Sequence, residues 1–250
     1  MAELPEMQPD LAAALAAAAG EGGIGTLNER TLHSLLKYWL EPDPRRHEIP
    51  LGRSVADIFD GERVTEVQTG SLFPLQKKLP DLLAEWPVTV VCPLPRRKWI
   101  CWIDPATGER SEPRRSPKTG TPADLLPELL WVEELLIPGA CPHPLTLRIL
   151  PMDMVEYRLR DGWGGGGKRG SHRADRLPLT TGEEILIRDL KEAAALCPPL
   201  PDPFTRGDLA KAIGHRGRVL ARAQKFLELS GAVTRSGKRG RFILFSFSKE

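Results

Sequence analysis

The sequence predicts a mixed α/β (α+β) fold, with a mixed sheet flanked by helices and a small C-terminal domain of two helices and a hairpin. Three observations predict it. Between residues 27 and 157, short β-branched runs alternate with segments whose leucines recur at helical spacing. The dipeptide Asp60-Gly61 separates two of the apolar runs, a strong hairpin signal. From residue 201 onward, two helical patterns and a hairpin pattern follow one another in a stretch that is mostly basic. A chain of 250 residues, 41% hydrophobic and 27% charged, is long enough for one medium domain and one small one.

Residues 1–26 read as an Ala- and Gly-rich N-terminal extension, either a short helix or a frayed segment. Its run from Leu11 to Ala19 follows Glu3, Glu6 and Asp10 and lacks a basic leader, which argues against a signal peptide; Gly20 to Gly25 forms a natural hinge. Leu27 to Leu40 is expected to be a helix, capped by Asn28 and burying Leu32, Leu35, Leu36 and Trp39. Strands follow at Glu48–Gly52, Val55–Phe59 and Val64–Thr69. Ser71 and Pro74 open a helix carrying Leu75, Leu79, Leu82 and Leu83. Two further strands are expected at Pro87–Pro95 and Lys98–Asp104, and a polar, proline-broken loop with Arg114, Arg115 and Lys118 comes next. Thr121–Ile137 reads as a helix and Leu145–Leu150 as a strand, closing a domain over residues 27–157.

Within the hairpin, Asp57 stands across from Glu66, and Glu66 and Gln68 share a face because strand side chains alternate. Two carboxylates and an amide oxygen at that spacing make a hard-oxygen site suited to Mg²⁺ or Mn²⁺. In this order, Asp57 followed by Glu66-Val67-Gln68 resembles the PD-(D/E)XK nuclease superfamily over roughly residues 27–104. The resemblance implies a restriction-endonuclease-like sheet and hydrolysis of DNA phosphodiester bonds. Asp57 and Glu66 would hold the metal. Glu29 on the preceding helix would assist through a second metal or a water. Gln68 stands where most members carry Lys, and would contribute its amide oxygen or orient water. Lys77 or Lys78 on the following helix would stabilise developing charge, as in members that recruit a Lys from there. A surface role is the competing reading for both lysines. An amide cannot carry a lysine's charge, so the resemblance also admits an inactive nuclease-like domain in a DNA-binding regulator or scaffold.

Residues 158–200 read as a basic Gly-rich segment and linker helix. Lys168, Arg169, His172, Arg173 and Arg176 beside Trp163 could grip a phosphate backbone, or form a solvated linker. The segment is not a P-loop, since Lys168 is followed by Arg169. The four cysteines show no CxxC spacing, so neither a zinc site nor a disulfide framework is expected.

In residues 201–250, Thr205 and Asp208 open a short helix that closes at Gly214, a second helix runs from Gly217 to Leu229, and a hairpin turns at Ser236 to Gly240. This segment resembles a winged helix-turn-helix. The resemblance places Arg216, Arg218 and Arg222 on or beside a recognition helix and Lys238, Arg239 and Arg241 on a wing that follows phosphates. The net charge of +2 thus conceals a basic tail suited to DNA. The expected partners are DNA and a second copy of the chain, with no membrane, since no stretch approaches a membrane span, and the expected compartment is cytoplasmic. The Gly-rich loop and the blocks His47–Ser71 and Lys98–Asp104 also resemble a bacterial protein family of unassigned activity.

Overall fold

The computed structural model describes residues 3–20, 31–162 and 171–248. Asn28 and Glu29, at the expected start of the second helix, and Lys168 and Arg169, in the Gly-rich loop, lie outside them. The chain begins with α1 (Pro9–Gly20) and α2 (Thr31–Leu40). A meander of β1 (His47–Leu51), β2 (Ser54–Phe59) and β3 (Val64–Val67) leads through α3 (Leu75–Glu85) to β4 (Val88–Ile103). Then come the two-residue β5 (Arg114–Arg115), the short α4 (Leu126–Leu129), and the strands β6 (Leu145–Leu159), β7 (Arg173–Thr181) and β8 (Ile185–Ile187). The C-terminal part contains α5 (Leu190–Ala194), β9 (Phe204–Thr205), α6 (Arg206–Ile213), α7 (Gly217–Leu229), β10 (Val233–Arg239) and β11 (Phe242–Phe247).

The main sheet has the order β1-β2-β3-β4-β6-β7, with β5 beside β4 and β8 beside β6. The pairs β3–β4 and β4–β6 are parallel and the others antiparallel. One face packs against α3 and the α4 region through Val64, Val88, Val90, Leu145 and Leu147. The other face lies under α1 and α2 through Val67, Val91, Leu150, Met152 and Met154. No helix among the described residues is long and apolar enough to cross a membrane.

Several expectations are corrected. Of the two alternatives for the N-terminal segment, the short helix is the one found, as α1, and it is part of the main core: Leu11 is fully buried against the α2 leucines, and the Gln8 backbone N–H donates to the Leu179 carbonyl of β7. The two strands expected around Pro93 and Pro95 are a single strand, β4. Pro93 and Pro95 share the parity of Val91, whose carbonyl turns to β3 to accept from Gln68 N–H. β3 has ended there and β5 pairs only from Trp99, so the missing proline N–H groups fall on an unpaired edge. A register shift between Pro95 and Arg97 then re-aims the strand.

The helix expected over Thr121–Ile137 is broken into a 3₁₀ turn (Pro122–Leu125), α4 and a second 3₁₀ turn (Glu133–Leu136). The Pro127 ring would clash with the Ala123 carbonyl in a continuous α-helix, and Leu126 N–H reaches Ala123 by the tighter bond instead. The largest correction concerns residues 158–200. Within this segment, residues 173–187 supply β7 and β8 to the main sheet, so the sheet runs on to residue 187, and the expected helix follows as α5.

The C-terminal elements match their sequence signals closely. The Thr205 hydroxyl and the Asp208 carboxylate form the expected capping box, and Gly214 ends α6 at φ 66°. The hairpin turn falls later than expected, at Gly240-Arg241, because Gly237 (φ 155°) sits at a register shift within β10. Leu209, Leu220, Phe226 and Phe245 join Leu126, Leu129 and Val132 in one continuous core, so the C-terminal domain is docked on the α4 region.

Because Leu11 is core, Leu11→Ala is expected to cost about 2–4 kcal/mol of stability. Urea unfolding followed by circular dichroism measures it; an unchanged midpoint would restore the frayed segment.

Candidate functional site

The ladder between β2 and β3 is short. Ile58 pairs with Thr65 and Phe59 with Val64, and beyond them the strands part. Two carboxylates take the vacated ladder positions: Val67 N–H donates to Asp57 Oδ2 at 2.7 Å, and Asp57 N–H donates to Glu66 Oε1 at 3.3 Å. The parting is made stable by β4, which holds the other edge of β3 from Val64 to Val67. The structure therefore brings Asp57 and Glu66 together as the sequence predicts.

Each carboxylate is also met by a nitrogen-bearing side chain from a helix. Lys78 of α3 donates to Glu66 Oε2 at 2.6 Å, and His33 Nε2 of α2 lies 3.1 Å from Asp57 Oδ2. One turn along α2, buried Lys37 donates to Glu48. Glu48 lies between the pairs His47↔Ile58 and Ile49↔Ala56, hence opposite Asp57, and its backbone is left-handed at φ 52°. Three acids thus cross three adjacent strands, each matched to a nitrogen-bearing side chain from a helix: Lys37, His33 and Lys78.

The two central acids differ in electrostatic standing. Glu66 is only 2% exposed; burial first, then repulsion from Asp57, pushes its carboxyl up to about 7 despite Lys78. Burial also raises Asp57, but the His33 hydrogen bond and charge, the Val67 N–H and the Lys78 charge outweigh it, leaving that carboxyl below the usual range.

Gln68 is oriented differently from its neighbours. Its side-chain amide donates to the Ser71 carbonyl, so the group closes its own loop. Lys77 is exposed on α3, one residue from Lys78 but outside the cluster. His33 escaped the sequence reading because its partner is 24 residues away. The available signal was a polar pair, His33 and Lys37, spaced one helical turn apart beside the apolar stripe of α2.

Basic residues gather on the C-terminal halves of β4 and β6. Arg96 and Arg97 grip fully buried Asp153, whose carboxyl burial would raise but the two guanidinium groups hold far below its ordinary value. Lys98 and Arg158 flank Glu156. On β7, Arg173 is exposed, whereas Arg176 is buried and donates to the Thr69 carbonyl, next to Gln68. His172 pairs with Asp161.

In the C-terminal domain, Arg216 and Arg218 are exposed at the start of α7, and Lys238, Arg239 and Arg241 are exposed on the hairpin. Arg222 faces inward: its guanidinium lies 5.6 Å over Trp131 and 3.6 Å from Glu128 Oε1. His215 likewise lies 2.8 Å from Asp124 Oδ1. The expected recognition helix is therefore presented through its first turn, and Arg222 belongs to the contact with the α4 region.

Residues 30–188 match a family model described as "Domain of unknown function (DUF8091)", a span that closes with β8. The chain is also similar to an "Uncharacterized protein" of Treponema pallidum (strain Nichols), with 32% identity over 227 residues, covering 89% of this chain and 86% of the relative. No solved structure matches it. By the extent of the family match, the chain belongs to the DUF8091 family.

Proposed function

We propose that this chain is a DNA-binding protein with a Mg²⁺-dependent centre that hydrolyses phosphodiester bonds. The observation that carries the reading is the fork between β2 and β3, where Asp57 and Glu66 meet and Lys78 reaches Glu66. Supporting it is the order of elements around that fork: a helix, an antiparallel three-stranded meander, a crossover helix and a fourth strand parallel to the third. This is the order that the nuclease resemblance leads one to expect. The elements β9, α6, α7, β10 and β11, with β11 between β10 and β9, are likewise those expected of a winged helix.

The donor set suits a hard cation. Burial first and then the charge of Asp57 raise the Glu66 carboxyl, and positive charge added beside the pair would oppose both effects. Among the described residues no group of three or more His, Cys, Asp or Glu is arranged to hold a metal. Mg²⁺ needs only one or two carboxylates from the protein and keeps waters for phosphate, which a two-carboxylate site can supply. Asp57 and Glu66 would hold it, and when bound it supplies Lewis-acid stabilisation and an activated water.

The protein groups do the remaining work. Lys78 places a fixed positive charge at the fork, where charge develops on a phosphoryl oxygen. His33 holds Asp57 in its orientation. The exposed first turn of α7 and the cationic hairpin would engage the duplex backbone.

One observation favours the second reading, a regulator that binds DNA without cutting it. The Gln68 amide is occupied by Ser71 rather than directed at the acids.

Supercoiled DNA incubated with Mg²⁺ is expected to be cut by the wild type, and Asp57→Ala and Glu66→Ala are expected to lose about a hundredfold or more of that activity at matched DNA affinity. Intact DNA with the wild type bound to it would select the regulator. Lys78→Ala should lower kcat about 10- to 100-fold while Lys77→Ala stays within about twofold; equal effects would remove Lys78 from the centre. Replacing Lys238, Arg239 and Arg241 together by Ala should flatten the dependence of log affinity on log salt by about one unit for each phosphate no longer neutralised. Fluorescence anisotropy across a salt series reads this slope, and an unchanged slope would take the hairpin out of the interface.

A further inference from the structure

We infer that Glu128 and Arg222 are positioning residues, which fasten the loop closing the candidate centre to the C-terminal domain. The inference rests on the nuclease reading for its catalytic meaning but on geometry alone for the linkage. The loop in question runs from Gln68 to Leu72, between the end of β3 and the start of α3. It connects Glu66, on the strand before it, to Lys78, on the helix after it, so its conformation sets where the two meet.

Three ties hold this loop. Inside it, the Gln68 amide donates to the Ser71 carbonyl. From β7, Arg176 donates to the Thr69 carbonyl at 2.8 Å. From α4, a single carboxylate oxygen, Glu128 Oε2, accepts both the Ser71 hydroxyl and the Leu72 N–H, the latter at 3.0 Å. The same carboxylate faces the C-terminal domain through its other oxygen, 3.6 Å from the Arg222 guanidinium. That distance makes an ion pair rather than a hydrogen bond. The guanidinium is further fixed over Trp131, whose ring packs edge-on against Phe73 at 5.0 Å, immediately after the loop. Two routes, one polar and one aromatic, therefore run from α7 to the same few residues.

Glu128 is consequently shared between the loop and α7. Its Oε2 accepts two donors from the loop, and removing the Arg222 charge leaves a part-buried carboxylate without its counter-charge. It can recover solvation only by moving toward water and away from Ser71 and Leu72. The Gln68 amide, held by Ser71, moves with the loop. Both residues act through others, and neither touches the acids.

The test uses the full-length protein and needs no cleavage. Leu72 is 1% exposed and its amide bonds to Glu128, so its hydrogen exchange reports the tie directly. Arg222→Ala is expected to speed Leu72 exchange about three- to tenfold and Glu128→Ala by more, while the double variant speeds it by less than the product of the two single effects, the aromatic route keeping a share of its own. Arg222→Lys should restore slow exchange, since the pair needs charge rather than a bidentate fork. Unchanged exchange in Arg222→Ala, or additive effects in the double variant, would overturn the linkage. In the cleavage assay Arg222→Ala should lower kcat severalfold with KM for DNA unchanged; a rise in KM alone would make Arg222 a DNA contact and overturn the assignment. If the wild type cuts nothing, the nuclease reading falls, and the exchange data still decide whether the linkage exists.

Discussion

The parallel pairing of β4 and β6 over almost their whole lengths organises everything else in this molecule. β4 offers its first half to β3 and its second half to β5, and β6 offers its first half to β8 and its second to β7. Parallel strands cannot be joined by a tight turn, so the chain between them must leave the sheet and return. That crossover carries α4, and with it Asp124, Glu128 and Trp131, the residues that receive the C-terminal domain. The same requirement places α3 between β3 and β4, also parallel, and puts Lys78 above the fork. The site and the domain contact are thus two consequences of one strand arrangement.

Charge burial is managed by a repeated device. Buried Glu66 meets Lys78 and half-buried Asp57 meets His33, both from helices, while Asp153 and Glu156 meet arginine and lysine side chains from the neighbouring strand β4. An unpaired buried carboxylate would be costly, and for Glu66, Asp153 and Glu156 the partner is a long side chain whose apolar stem can lie along the sheet. Glu66 stands apart because burial, and then its neighbour Asp57, raise its carboxyl. The pair at the fork is the place among these acids where a second positive charge is still favourable.

What the sequence made legible was what is local. The hairpin with Asp57 and Glu66, the capping box at Thr205 and Asp208, and the leucine stripe of α3 all depend on residues within a turn or two of one another. The fold order followed from these. Long-range partners were not legible: His33 meets Asp57 across 24 residues and Glu128 meets Ser71 across 57. The boundary expected near residue 157 failed for another reason. β7 carries Asp175 and Arg176 buried within a strand that also contains Pro178, so neither alternation nor apolarity marks it. A strand rich in satisfied charges reads as a polar loop, which is how the sheet's last two strands came to resemble a linker.

The charge balance at the fork bears on Gln68. The nuclease pattern supplies two acids and one lysine on the strands themselves. Here the strands supply two acids and a neutral amide, and the lysine arrives from α3 as Lys78. A lysine at position 68 in addition to Lys78 would bring two positive charges to two carboxylates, matching their full charge and lowering the field that attracts a divalent cation. On the proposed nuclease reading, the neutral amide at position 68 leaves Lys78 to carry the positive charge that the pattern puts on the strand. The altered position transfers responsibility to the loop between β3 and α3. In the usual pattern the lysine is two residues from its acid and needs no outside support. Lys78 is twelve residues from Glu66 and stays beside it only while the intervening loop holds its shape. A carboxylate that pins that loop, and an arginine that in turn fixes the carboxylate, are what such a transfer demands.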